Sequence, residues 1–261
     1  MAEHLTHGWE PETPATDSLL RLFLEGTAER GEFLAAATGR SATRRDGVAM
    51  ANLQSPVWFE NTAVLLTPSQ YLERDAVVDA IDGFFARDCP VVVFSGFPTW
   101  DLTSAGFELM GHPPFMVRNA GARPPSLIEG VEIRPVQSAD ELAVFARVIA
   151  EAYPMPGAEN SAMASITELD GPLRLFNAYL NGKPVATGGT WNSHGVNDVG
   201  FISALPETRR KGIGAAITYA ATVAFPDDPA VLISSDHGHR VYEALGYLTL
   251  FRLTLWLRPA A

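Results

Sequence analysis

The stretch Val199–Ala215, VGFISALPETRRKGIGA, constrains the fold more than any other part of the chain. It reads as a short apolar strand, a proline-marked turn, three consecutive basic residues, and then Gly212 and Gly214 at the head of an apolar helix. The first backbone N–H groups of a helix have no partner within it, and the helix dipole adds partial positive charge there. Glycines at that end let an anion reach the backbone without a side chain in the way. The segment therefore reads as a cradle for a pyrophosphate. A dinucleotide fold would need a strand entering G-x-G-x-x-G directly. Here the third glycine position is Ile217, Pro206–Lys211 separate the strand from the glycines, and the preceding strands form a hairpin.

The rest of the chain supplies alternating strands and helices. Residues 1–17 are polar and proline-containing and read as a loose tail. Asp17 or Ser18 caps a helix carrying Leu19, Leu20, Phe23 and Leu24. Val57–Leu66 holds one or two strands, residues 72–87 an amphipathic helix, and Val91–Ser95 a buried strand. A short helix from Asp101 to Leu109 and a strand at Phe115–Arg118 follow. Asn119–Ser126, NAGARPPS, is the best linker. Beyond it come a strand at Val131–Val136 and a helix at Ser138–Ala152 with a Ser138/Glu141 capping box. Strands at Arg174–Leu180 and Pro184–Trp191 are joined by Asn181-Gly182, a strong hairpin signal. A third strand spans Asn197–Leu205. A helix from Gly212 to Phe225, a strand at Ala230–Ser234, a short helix at His239–Leu245 and one closing strand, Tyr247–Leu257, complete the chain. Residues 72–118 and 212–257 share the order helix, apolar strand, short helix, strand, which points to an internal repeat. The first copy lacks the glycine pair and the clustered arginines.

The 261 residues allow one large or two medium domains with real cores. A hydrophobic fraction of 47% with 19% charged residues excludes a disordered chain. A net charge of −11 lacks the basic field of a nucleic-acid binder and suits solubility or the steering of cationic substrates. With Cys89 as the only cysteine, no intrachain disulfide can form, and a reducing, cytoplasmic setting is the expectation. No apolar run reaches membrane-spanning length and no signal peptide is visible. Asp236, His237 and His239 are too weakly spaced to make a metal site, so no metal is expected.

Arg209-x-x-Gly212-x-Gly214 resembles the R/Q-x-x-G-x-G/A pyrophosphate signature of the GNAT superfamily of acyl-CoA N-acyltransferases. The resemblance runs over about residues 128–261 and includes the ending VYEALGY, similar to that family's close. As a whole, the chain looks like tandem GNAT proteins with a degenerate first domain: a tail over 1–17, a degenerate GNAT-like domain over 18–125, and an acetyl-CoA-binding domain over 126–261. The resemblance implies an α+β fold with a mixed, mostly antiparallel splayed sheet flanked by helices. It implies that the pantetheine arm runs along Ile202, Ser203 and Ala204. The pyrophosphate would lie on Arg210, Lys211, Gly212, Ile213, Gly214 and Ala215, with the side chains of Arg209, Arg210 and Lys211 secondary to the backbone amides. It places Tyr242 as general acid at the thioester sulfur and Ser235 on the cofactor. Asp198, at the start of the signature strand, is the best candidate base; His194, Glu159 and Glu168 are weaker ones. Tyr153 and Met155 fall in a loop over the substrate. The implied activity is transfer of an acetyl group from acetyl-CoA to an amine by direct attack, with a small-molecule amine or a protein amino group as acceptor. A non-catalytic acyl-CoA-binding sensor is the alternative. No nucleic acid or membrane partner is expected, and the chain is a monomer or homodimer.

Overall fold

The computed structural model describes residues 18–121, 128–153, 157–166, 171–236 and 238–261. The expected tail, Met155, Glu168 and His237 lie outside them, and most of the linker does too.

Ser18 starts α1 (Leu19–Ala37) by accepting the Arg21 N–H, which satisfies one orphan amide. A hairpin follows, β1 (Ser41–Arg45) and β2 (Val48–Asn52), that the sequence reading passes over. Its Asp46-Gly47 turn carries the signal: φ is +48° and +79°, the two left-handed residues that a type I′ turn requires. Val57–Leu66 yields a 3-10 turn (Trp58–Glu60) and one strand, β3 (Thr62–Leu65). Then come α2 (Arg74–Phe84) and β4 (Val91–Ser95). In place of the helix expected at Asp101–Leu109 there is a 3-10 turn (Thr103–Ala105), followed by β5 (Glu108–Gly111) and β6 (Pro114–Arg118).

The second half opens with β7 (Val131–Pro135) and α3 (Ala139–Ala152). The capping box is present: the Glu141 N–H donates to Ser138 Oγ at 3.3 Å, and the Glu141 carboxylate accepts from the Gln137 N–H at 2.8 Å and the Ser138 hydroxyl at 3.0 Å. β8 (Leu173–Leu180) and β9 (Lys183–Ser193) form the Asn181-Gly182 hairpin. β10 (Val196–Ala204), α4 (Ile213–Thr222), β11 (Ala230–Ile233) and α5 (His239–Ala244) follow in order. The expected single closing strand is two, β12 (Leu248–Arg252) and β13 (Thr254–Arg258), divided at Leu253.

The strands make two mostly antiparallel sheets, ordered β1-β2-β3-β4-β13-β5 and β12-β6-β11-β10-β9-β8-β7. Each contains one parallel pair, β3 with β4 and β10 with β11. With helices flanking them, this is the expected α+β class, and the like order of elements in the two sheets is consistent with duplication. The division at residues 125/126 does not separate the sheets. β6, from the first half, pairs with β11 and β12, while β13, from the end of the chain, lies between β4 and β5. The registers show how. Leu257 opposes Glu108 and Trp256 opposes Leu109 in one sheet; Phe251 opposes Phe115 and Leu248 opposes Val117 in the other. Residues 108–118 and 248–258 are thus one antiparallel ribbon that crosses from sheet to sheet.

The core follows the same logic. Phe23, Leu24 and Ala28 of α1 share one apolar cluster with Val64, Val92 and Phe94 of the first sheet and Phe115, Val231 and Leu253 on the side of the second. Leu253, with no exposed area, fills the point where the ribbon changes sheets. α4 lies close on the second sheet because Gly188 leaves room: a Cβ there would stand 2.9 Å from both Ile202 Cδ1 and Ile217 Cγ1. That close seat fixes where the helix's glycine-bearing end points. Among the described residues no helix is long and apolar enough to cross a membrane.

Candidate functional site

The site begins where β10 leaves β11. The two pair in parallel only at Asn197 with Ala230 and Asp198 with Val231, although both strands continue. The cause is a bulge in β10 between Gly200 and Ser203, opposite β9. Phe201 sits there at φ +57°, a left-handed conformation that costs a non-glycine residue about 1–3 kcal/mol. A bulge bends its strand, and this one carries β10 away from β11 and opens a cleft.

A cavity of about 360 Å³ fills the cleft. β10 lines it from Asp198 to Ile202, and Ile233, Ser235 and Tyr242 line it from the other side. α3 adds Ile149 and Tyr153. The first half of the chain supplies most of the remaining wall, including Phe23, Thr27 and Arg30 from α1, Trp58, Phe59 and Glu60 from the 3-10 turn, and Phe94 from β4. The Trp58 and Phe59 rings meet edge to face with centroids 5.4 Å apart.

The loop from Arg210 leads into the start of α4. Gly212 occupies the cap position of α4 at φ +79°, and no side chain caps the helix. The amides of Ile213, Gly214 and Ala215 therefore begin a helix without internal acceptors. Arg210 and Lys211 are exposed beside them. A Cβ on Gly214 would meet nothing within 4 Å, so the protein itself has no need of glycine there. Bare backbone at an uncapped helix start, next to a split strand pair, fits the phosphates and extended arm of an acyl-CoA.

Other expected residues have defined tasks already. Arg209 donates through Nε to the Ala204 carbonyl at 3.2 Å and through Nη2 to the Ala152 carbonyl at 3.1 Å, tying β10 to the end of α3. Ser203 is buried, its hydroxyl 2.7 Å from Thr187 Oγ1. The Ile202 carbonyl accepts the Tyr153 hydroxyl at 2.9 Å. Ser235 is exposed on the cavity rim, where its Oγ accepts the Gly238 N–H at 3.1 Å. Changing Arg209 to alanine should lower stability by about 1–3 kcal/mol, since two carbonyls lose their charged donor. Acyl-CoA affinity should change little beside that, as thermal unfolding and titration of the same sample will show.

Tyr242 reaches the cavity from α5. Burial, with a smaller contribution from the Tyr153 phenol, raises its pKa well above the ordinary tyrosine value and keeps it protonated at neutral pH. Asp198 is buried and bound to Arg30, Nη1 to Oδ2 at 2.5 Å. Burial raises its pKa and the Arg30 guanidinium opposes the rise. His194 stands apart from the cavity, 2.9 Å from Glu29. Asp236 accepts from Arg252 at 3.1 Å and His239 Nε2 lies 2.7 Å from Thr249 Oγ1. Arg30 and Glu60 are absent from the sequence reading: in α1 an arginine between two glutamates reads as helix surface, and nothing local marks Glu60.

No protein-family model matches the chain, and no curated protein does. Solved structures do. The chain is similar to a GCN5-related N-acetyltransferase from Kribbella flavida, with a TM-score of 0.65 and 21% identity over 90% of this chain and 96% of that one. A functionally unknown conserved protein from Staphylococcus epidermidis matches with a TM-score of 0.61 and 16% identity, over 85% and 94% of the two chains. A GCN5-related N-acetyltransferase from Sphaerobacter thermophilus matches at 0.53 and 13%, over 80% and 75%. Identities this low speak for the fold.

Proposed function

Because the chain has the fold of the GCN5-related N-acetyltransferases, we propose that it transfers an acetyl group from acetyl-CoA to an amine. The observation that carries the reading is the cleft between β10 and β11, lined by Tyr242, together with the uncapped glycine end of α4, a helix packed on β10. In this reading the loop from Arg210 to Ala215 holds the pyrophosphate on backbone amides, and the arm follows β10 past Ile202. The second-half domain carries the acetyl-CoA and the first half, a degenerate relative of it, closes the acceptor side.

The chemistry then needs three things. The amine must lose a proton, the carbonyl oxygen must be stabilised as it gains charge, and the sulfur must leave. The amine nitrogen attacks the thioester carbon, a C–N bond forms and the C–S bond breaks, with no covalent enzyme intermediate. Asp198 takes the amine proton; burial raises its proton affinity toward the working pH. Tyr242, protonated at neutral pH, gives its proton to the departing thiolate; burial raises its pKa, which works against this transfer, so its contribution rests on its position at the cleft. Neither step calls for a metal.

Tyr242→Phe tests the assignment. It should lower kcat by roughly tenfold or more, at the low end for a general acid because a thiolate leaves readily. The Kd for acetyl-CoA should stay within about twofold. Equal turnover in the Phe variant removes Tyr242 from the mechanism. If instead acetyl-CoA binds with micromolar affinity and no amine in a broad panel is acetylated, the chain is a non-catalytic acyl-CoA sensor.

A further inference from the structure

Glu60 is a carboxylate in an unusual setting. It is 5% exposed, lines the cavity, and has no ion-pair partner among the described residues. One of its oxygens accepts the Ser161 hydroxyl and the other accepts the Ala162 N–H at 2.8 Å. These contacts hold the group in place without neutralising it. The other two charged side chains on the cavity wall, Arg30 and Asp198, neutralise each other. The cavity thus carries one uncompensated negative charge, and a buried charge is costly unless paired. Much of the lining is apolar or aromatic: Trp58 and Phe59 beside Glu60 in sequence, Phe23 and Phe94 on the same wall, Met163 and Leu255 beyond. The volume, about 360 Å³, is at the small end of the roughly 300–1,000 Å³ of ligand sites.

We infer that the acceptor is a small, singly cationic amine with an aromatic or aliphatic body and no carboxylate, and that Glu60 receives its ammonium group. This deepens the acetyl-transfer reading and rests on it. The aromatic rings fill against the body of such an amine, and their faces favour a nearby cation. An amino acid would set its carboxylate against Glu60. A polyamine would bring further charges with nothing to meet them, and a folded protein's lysine would have to reach in past α1, which lines the cavity. Glu60 receives the ammonium whose nitrogen then reacts, so it sets which amine enters and where, while Asp198 takes the proton. The overall charge of −11 steers the same class of ligand toward the protein.

The test compares 2-phenylethylamine, phenylalanine, spermidine and a lysine-containing peptide as acceptors with acetyl-CoA, and repeats the best of them with Glu60→Gln and Ser161→Ala. The expected result is a kcat/KM for 2-phenylethylamine at least about tenfold above the others, which is a modest discrimination for a charge left unpaired. Glu60→Gln should raise its KM by about tenfold or more with kcat nearly kept, and narrow the gap to phenylalanine. Ser161→Ala removes one brace but no charge, so it should leave KM nearly unchanged. Preference for spermidine or the peptide overturns the inference. So does an unchanged KM in Glu60→Gln, or an equal rise in Ser161→Ala, which would make Glu60 a brace. Calorimetry of 2-phenylethylamine without acetyl-CoA separates the two readings. Glu60-dependent binding with no transfer to any amine retires the acetyltransferase and keeps the cavity's preference; transfer without that preference does the reverse.

Discussion

Gly214→Glu should weaken acetyl-CoA binding by about 100- to 1,000-fold, equivalent to roughly 3–4 kcal/mol, while leaving the fold intact. The separation is possible because of where Gly214 sits. It occupies the first turn of α4, has no left-handed φ, and its missing Cβ faces open space. A glutamate there is a better helix former than glycine and complements the positive end of the helix dipole, so unfolding should come no earlier. The same side chain puts negative charge and bulk where the pyrophosphate would lie, removing charge-assisted contacts worth about 1.5–3 kcal/mol each. Gly212 is a poorer target. Its φ of +79° and the 3.0 Å approach of a Cβ to Ile128 Cδ1 mean that substitution strains the protein before any ligand arrives. Titration of acetyl-CoA together with thermal unfolding of the Gly214→Glu variant reads both effects. Undiminished affinity would place the phosphates elsewhere.

Arg30→Met should be the most destabilising of the substitutions considered, at about 3–5 kcal/mol, because it strands a buried carboxylate. The Arg30 and Asp198 side chains are only 18% and 10% exposed, so water does little to compensate. The double variant Arg30→Met/Asp198→Asn should recover much of the loss, since both charges then go. The pH dependence has a definite sign. Asp198 already has a raised pKa from burial, opposed by Arg30. Without Arg30 the rise is unopposed. A carboxyl whose folded pKa is raised favours the fold when protonated, and that advantage is lost as pH climbs through the folded pKa. The variant should therefore be least destabilised in acid and progressively more so toward neutral pH. If Asp198 is the base, the acid limb of the kcat/KM profile should move to higher pH in the same variant. A destabilisation independent of pH would show that the pair contributes through packing alone.

What the sequence disclosed, and what it hid, divides along the range of the interactions. Local chemistry was legible: the Ser138/Glu141 box, the Asn181-Gly182 turn and the glycine start of α4 each declare themselves within a few residues. The β1–β2 hairpin was equally declared by Asp46-Gly47, but its strands, SATRR and VAMAN, lack a clean alternation of polar and apolar residues. Its exposed β1 is almost wholly polar and its β2 wholly buried. The ribbon was hidden because Glu108 and Leu257 are far apart in sequence. The repeat held a clue, since aligning Gly106-Phe107 with Gly246-Tyr247 sets Arg118 on Arg258, two arginines that each cap backbone carbonyls. At the candidate site, the glycine start of α4 and the position of Tyr242 are marked by motif and spacing. Arg30 and Glu60 do not, because each becomes significant only when the first half folds against β10. The Phe201 bulge is invisible for another reason: no residue type in GFISA requires a left-handed phenylalanine, and only the packing around it does.

Release of the CoA thiol from acetyl-CoA, followed with and without 2-phenylethylamine, shows whether the cleft between β10 and β11 is an acetyl-transfer site. Release should depend on the amine, saturate with both substrates and be matched mole for mole by the N-acetylated product. Thiol release no faster than in protein-free buffer, with this amine and with every other in a broad panel, would contradict that assignment.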